Sequence, residues 1–493
     1  MKIRLALATA TAMGLLMGAA AAGSNNKTYI DQSGANNQAS ITQSGSDNRA
    51  GGAGGLDGPA MKQARTGASE STQLKNTLSI EQSGHRNKIG LEGAGLSQRV
   101  TYGATANWYN TSNHIEINQT SNDNTVGSVS QISETHVGAN SLTINQGGEN
   151  GGDGNRVGSV SQYRSQTTGN KAVINQTGTG NTIARVQQYV SAYGDNIDTN
   201  IIDVNISGSN NGKGFFVIGG AAAATGAQSS QIVQGAYGNG ARRNKIDLAI
   251  SGDENEFGIS QFGVGNEVGL LTISGDKNQL GIYQDGTNTV SMGALEGDSN
   301  NVGVRQIGTN TATVNVFGVD SDGNKVGVSQ EGTNTATANV TGSANDVSLV
   351  QGYNGIGVGG VNIATLNVDG SSNKLNAQQF GGAVGNANNL TVNIWGNSNN
   401  TTGFTGVAAT AAAGLNPGDL FQKGAGNTAT INVGTSSADS NSNLFAFNQT
   451  GNGNTLTGTV NGSNNQSAVV QNGNANVASF VQTGGMNQLG VSQ

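Results

Sequence analysis

Most hydrolytic and metal-dependent sites are assembled from cysteine, histidine or gathered carboxylates. This chain of 493 residues has no cysteine and three histidines, His85, His114 and His136, which fall in different repeats. Without a thiol or a close histidine pair, no tetrahedral metal site and no nucleophile–base pair can be drawn. The histidines are expected to face solvent. The acidic residues are scattered through turns and outward positions, whereas a polysaccharide-cleaving β-helix gathers them on one face. Two fragments imitate ligand loops. Asp320-Ser-Asp-Gly-Asn-Lys325 lacks the later ligands of a calcium loop and reads as an acidic turn. Gly208-Ser-Asn-Asn-Gly212-Lys213 is one residue short of a phosphate loop and has no hydroxyl after the lysine. The expectation is a non-enzyme with no catalytic residue, metal or cofactor.

The chemistry present in quantity is that of the side-chain amide. Between Asn255 and Gln351 the motif Asn-x-φ-x-φ-x-Gln, with φ apolar, occurs five times: NEFGISQ, NQLGIYQ, NNVGVRQ, NKVGVSQ and NDVSLVQ. The motifs begin 23, 22, 24 and 21 residues apart. In an extended strand the Asn, both apolar residues and the Gln share one face, while the residues between them, Glu256, Gly258 and Ser260 in the first motif, face away. Stacked in phase, each amide meets its own copy in the neighbouring repeats. That satisfies groups which cost about 1–3 kcal/mol each when buried alone. The ladder residues so assigned are Asn255, Gln261, Asn278, Gln284, Asn300, Gln306, Asn324, Gln330, Asn345 and Gln351.

Second extended arcs such as Asn310-Thr-Ala312-Thr-Val314-Asn-Val316, bounded by glycine turns, separate these motifs. Strand, turn, strand, turn with a period of about 22 residues predicts an all-β, parallel β-solenoid. Composition alone, with 79 Gly, 2 Pro and 4% aromatics, also fits a disordered chain. The motif nevertheless recurs thirteen times in phase, at Asn37, Asn76, Asn113, Asn140, Asn170, the five above, Asn373, Asn443 and Asn476. A random polar tract has no reason to keep such a phase.

Residues 1–22, with Lys2 and Arg4 before an apolar core and Ala20-Ala-Ala22 at its end, read as a signal peptide. Its removal takes two of 23 basic residues and leaves 21 against 30 acidic, a net charge of −9. An acidic chain is poorly suited to nucleic acid, and no small-molecule substrate is expected. Residues 23–493 are then the repeat solenoid, interrupted by Gly/Ala-rich insertions at about 51–66, 93–108, 213–230, 352–360 and 402–422. Ala221 to Ala224 and Ala408 to Ala413 are candidate helical turns. From Asn113 to Gln188 ordinary motifs alternate with stretched ones, NTVGSVSQ, NRVGSVSQ and NTIARVQQ, whose extra residue predicts a β-bulge.

The order Gln32-Ser-Gly34-Ala-Asn-Asn37-Gln-Ala39-Ser-Ile41-Thr-Gln43-Ser-Gly45-Ser-Asp-Asn48 resembles the repeat of curlins, subunits of the amyloid fibres that coat some Gram-negative bacteria. A looser form of it covers most of the chain, with more repeats and more variable spacing. The resemblance implies a secreted, cell-surface pilus or fimbrium supporting adhesion and biofilm. It also implies self-association, a related curlin-like subunit or nucleator, a chaperone and an outer-membrane secretion pore. The last motifs run nearly to Gln493 with no barrel-forming segment and no polar cap, so an open coil edge is expected to polymerise. The alternative is a non-polymerising secreted β-solenoid adhesin whose loops bind a surface or ligand.

Overall fold

The computed structural model describes residues 23–34, 36–52, 58–66, 76–101, 111–134, 138–147, 153–164, 169–191, 199–237, 243–318, 320–352, 360–435 and 439–493. The predicted signal segment, His136 and residues 353–359 of one insertion lie outside the described residues. The fold is a parallel β-solenoid with buried Asn and Gln ladders. It divides into two compact units, unit 1 comprising Met1–Phe215 with Gln228–Glu267, and unit 2 comprising Phe216–Ala227 with Val268–Gln493. In each, a coil consists of two arcs that close on a thin core, and like arcs of successive coils pair in parallel as sheets A and B.

In unit 1, sheet A stacks Met61–Thr66, Leu96–Thr101, Thr125–Glu134, Arg156–Arg164, Thr182–Ser191, Gln231–Tyr237 and Glu256–Gly263. Sheet B stacks Asn37–Gln43, Asn76–Gln82, Thr111–Gln119, Gly138–Gln146, Asn170–Gln176, Asn200–Ser207 and Lys245–Ser251. Between Asn113 and Gln188 the alternation of ordinary and stretched motifs thus has a spatial meaning: there the ordinary motifs form sheet B and the stretched ones sheet A. The extra residue is a bulge kept in register, since the pairing runs Val126 to Val157 to Ile183 and resumes at Ser128, Ser159 and Arg185, skipping Gly127, Gly158 and Ala184. Inward Ile115, Ile117, Leu142 and Ile144 are fully buried. Outside, Tyr163 stacks on Tyr189 at 4.8 Å and donates to Glu134 at 2.7 Å; burial, then that carboxylate, pushes its phenol up to about 12.

Three predicted insertions need correction. The stretches 51–66, 93–108 and 402–422 each end in, or contain, a sheet A arc, namely Met61–Thr66, Leu96–Thr101 and Asp419–Gly424. These arcs keep the inward apolar residue and Gln but lack the leading Asn, so the motif did not reveal them. The outward face at the first motif also differs from expectation, because Glu256 and Ser260 are buried. Glu256 accepts from the Gly214 amide and from the Ser229 hydroxyl at 2.7 Å, which pins both roots of the 213–230 insertion to unit 1.

Burial raises the Glu256 carboxyl against those two bonds, which act the other way. A raised folded-state value means that its contribution to stability is complete below the ordinary carboxylate range and is lost as pH rises through the raised value. Unit 1 is therefore expected to lose stability on going from mild acid to neutrality, and Glu256→Gln to flatten that slope. Chemical denaturation at a series of pH values checks this; an unchanged slope in the variant refutes it.

In unit 2, sheet A stacks Gln279–Gly286, Asn301–Gly308, the first part of Lys325–Ala336, Asp346–Gly352, Lys374–Gly381, Asp419–Gly424, Leu444–Thr450, Gln466–Asn472 and Gln488–Ser492. Most sheet B arcs here are short, such as Thr311–Ala312 and Val316–Phe317. In the coils that follow, the chain turns a corner between such arcs at Asn339, Asn367 and Asn393, all with positive φ. Two helices lie on the outside of sheet A. Helix α1, Ala221–Ala224, rests on Gly281 and Gly303, where any Cβ would collide with the Ala222 and Ala221 carbonyls. It is tied by Asn301 Oδ1, which accepts from the Ala222 amide at 2.8 Å. Helix α2, Gly406–Ala412, packs Ala408 and Ala412 on Ala468 and lies over Gly490. At Gly281 and Gly303 the outward Gly of the motif is thus a seat that only a bare backbone can supply.

Candidate functional site: the amide ladders

All ten ladder residues are buried. In unit 2 the Gln amides form one chain of donors and acceptors. Gln284 Nε2 donates to Gln306, Gln306 to Gln330, Gln330 to Gln351 and Gln351 to Gln379, at 2.8–3.0 Å. The chain continues through Gln422, Gln449, Gln471 and Gln493 at the same lengths. The second N–H of each amide crosses the core to the opposite arc, from Gln306 to the Thr289 carbonyl and from Gln330 to that of Thr311, both at 3.2 Å. Each Gln therefore joins coil to coil and sheet to sheet.

The Asn ladder works through the main chain as well. Asn324 donates its backbone N–H at 2.9 Å and its Nδ2 at 3.0 Å to Asn300 Oδ1, and Nδ2 also reaches the Gly342 carbonyl at 2.8 Å. Asn300 binds Asn278 Oδ1 at 3.0 Å, and Asn345 binds Asn324 at 3.0 Å, through their backbone amides. The residue before each Asn is left-handed, with φ 59° at Lys277 and Ser299 and 57° at Ala344. That conformation costs about 1–2 kcal/mol for a non-glycine residue, and the paired amides that follow each such turn offset it. A second Asn ladder runs along sheet B through Asn310, Asn334, Asn362 and Asn388.

Unit 1 repeats the scheme. Asn255 binds Asn211 Oδ1 through N–H at 2.8 Å and Nδ2 at 3.1 Å. Gln261 accepts from Gln234 at 2.9 Å and donates to the Lys245 carbonyl at 3.0 Å. Unit 1 also has a second Gln ladder on sheet B, from Gln43 through Gln82, Gln119 and Gln146 to Gln176. The rungs after Gln176 are Ile206 and Ile250, so the amide column becomes aliphatic there.

The two ladder types run in opposite directions. Within its column, Gln Nε2 donates towards the later coil, whereas the Asn backbone N–H and one Nδ2 N–H donate towards the earlier one; the other Nδ2 N–H reaches a glycine carbonyl of the later coil, as from Asn324 to Gly342 and from Asn345 to Gly370. Along the side-chain columns a coil thus shows Gln donors and Asn acceptors on its later side and Gln acceptors and Asn donors on its earlier side, while glycine carbonyls on the earlier side accept the remaining Asn N–H. The two sides of a coil are complementary by construction.

Three things escaped the motif search. The arc Gln488–Ser492 follows Asn487, which donates to Asn465 at 3.0 Å; NQLGVSQ is a full motif that inspection of the end of the chain would have found. The acidic turn holding Asp322 belongs to a column, since the amides of Asp276 and Asp298 each donate at 2.7 Å to the next carboxylate, Asp298 and Asp322. In the corresponding turns of unit 1, Asp153 and Asp253 accept in the same way, and at one turn His85 fills this role: Nδ1 accepts the Ser46 amide at 3.0 Å. His114 meets Thr77 at 2.6 Å and is half-buried. Neither lies near a second histidine among the described residues.

Residues 23–51 match the family model of the curlin associated repeat. No curated protein matches the chain in sequence. The matched stretch takes part in the ladders directly: the Asn48 amide donates to Asn26 Oδ1 at 3.0 Å, the Asn87 amide to Asn48 Oδ1 at 3.0 Å, and Gln43 Nε2 to Gln82 at 2.7 Å. The chain thus carries one stretch, residues 23–51, that is similar to the curlin associated repeat, and that stretch is built into the same amide ladders as the coils that follow it.

Proposed function

We propose that this chain is a structural subunit of an extracellular curli-type amyloid fibre on a Gram-negative surface, supporting adhesion and biofilm matrix. It would be exported through the segment 1–22 and grow by adding one solenoid to the edge of another. The supporting observation is the opposed direction of the Asn and Gln ladders. A coil edge is left with unpaired amide donors and acceptors, and another copy of the same chain supplies their complements in register. The partners of this reading are further copies of the chain, a related curlin-like subunit or nucleator, a chaperone and an outer-membrane pore.

Purified 23–493 is expected to form thioflavin-positive fibres, to be seeded by its own fragments, and to diffract at about 4.8 Å along the fibre axis. A chain that stays monomeric at high concentration would sink this reading. It would favour the non-polymerising adhesin, whose insertions carry the binding.

A further inference from the structure

Sheet B of unit 2 carries a regular array of hydroxyls on its outer face. Thr289 pairs with Thr311 and Thr311 with Thr335, while Thr428 bridges Asn389 on one side and Thr455 on the other. Two residues along each arc lies a second column, Thr313, Thr337, Thr365, Thr391, Thr430 and Thr457. Its register is held by the pairs on either side. Thr311 with Thr335 and Val316 with Val340 share one offset, and Ile363 with Asn389 and Val368 with Ile394 share another. These residues alternate with buried Ala312, Val314, Ala336, Ala338, Ala364 and Leu390, so they point outward, and they are half-buried or exposed.

High strand propensity explains a Thr at such a place but not its persistence. Where the first column changes to Ile363 and Asn389, the second still holds Thr365 and Thr391. The corresponding outer face of sheet B in unit 1 is built on the same arc and takes Lys171, Val173, Asp203, Lys245 and Asp247. The outward positions are charged and mixed in unit 1, whereas the two unit 2 columns carry no charge and are Thr except at Ile363 and Asn389, Asp369 lying past the corner at Asn367. Selection for a strand alone does not make that difference.

We propose that the outer face of sheet B in unit 2 binds ice, as a preformed template for an ordered lattice of water. The hydroxyls repeat at about 4.8 Å from coil to coil and about 6.6 Å along each arc. Hexagonal ice exposes oxygens at similar repeats in two directions. Each Thr gives one donor and two acceptors, and its branched side chain holds few rotamers. The Asn ladders beneath fix the spacing, as side-chain ladders do in flat stacked sheets. The positions of bound water are therefore set before binding, with little further ordering cost. The two columns carry no charge that would impose a competing hydration shell. This inference does not depend on fibre growth.

The test is inhibition of ice recrystallisation in concentrated sucrose by the full mature chain, together with its partition into slowly growing ice. Wild type is expected to act where serum albumin does not. The outward double variant T365K/T391K divides the array, and the concentration it needs should rise roughly tenfold or more as the multivalent contact is cut in two. V173K, on the charged face of unit 1, should match wild type. Far-UV circular dichroism confirms that all three share one fold, and T391K alone serves if the double variant does not. An inactive wild type, an undiminished T365K/T391K, or a V173K as impaired as T365K/T391K would each overturn the proposal.

Discussion

Replacing Gln330 by Leu is expected to destabilise unit 2 by about 2–6 kcal/mol while leaving its volume nearly unchanged, because two buried amide groups lose partners at about 1–3 kcal/mol each. Gln330 accepts from Gln306, donates to Gln351 and donates to the Thr311 carbonyl. Leu keeps the packing and removes all three bonds. The sharper expectation concerns the pair. In Gln306→Leu/Gln330→Leu the side-chain amides left without a partner lie only at the flanks, on Gln284 and Gln351, since the bond between the two mutated residues no longer has an owner, and the Thr289 and Thr311 carbonyls each lose one cross-core bond. The double variant should cost little more than one single variant and clearly less than the sum of the two, a coupling energy of the order of 2 kcal/mol or more. Denaturant unfolding of the three variants measures it, and fibre growth followed by dye should slow in the same order. Strictly additive losses would mean that the rungs act independently, and ladder stacking would not be the source of cohesion.

Gly303→Val is expected to expel helix α1 and leave the ladders standing. An added Cβ would run into the Ala221 carbonyl oxygen and carbon, main-chain atoms that cannot swing aside. The bond from the Ala222 amide to Asn301 would go, together with the burial of Ala221 and Ala222, a local loss of about 2–4 kcal/mol. Valine itself suits a strand, so sheet A should persist. Gly327→Ala is the control: its nearest non-local atom is the Ala221 Cβ at 3.7 Å, an ordinary contact. Limited proteolysis within 216–227 should become fast in the first variant and stay slow in the second. Equal protection in both would show that α1 is not seated on this glycine.

Much of this fold was legible because its determinants are local and repeated. The parity of Asn, two apolar residues and Gln fixes which side chains turn inward, and recurrence in phase fixes parallel stacking. Asn278 to Gln351 therefore stand where their spacing put them. The arcs at Met61, Leu96 and Asp419 were read as insertions because they lack the leading Asn; their place depends on pairing with strands far away in sequence. The residue before each Asn carries no signal either, being Lys277, Ser299 or Ala344, because its left-handed conformation serves the next residue's N–H and not its own side chain.

By itself, the sequence determined that identical amides and aliphatics recur in phase, and with that a parallel solenoid cohering through Asn and Gln, since side-chain parity is a property of a few consecutive residues. Only the tertiary structure decided which motifs share a coil, that the Gln and Asn ladders run in opposite directions, that the outward glycines seat a helix, and that unit 2 presents an uncharged hydroxyl face. Those features arise between residues tens of positions apart, where register and hydrogen-bond direction are set by the neighbouring coil and leave no mark on local spacing.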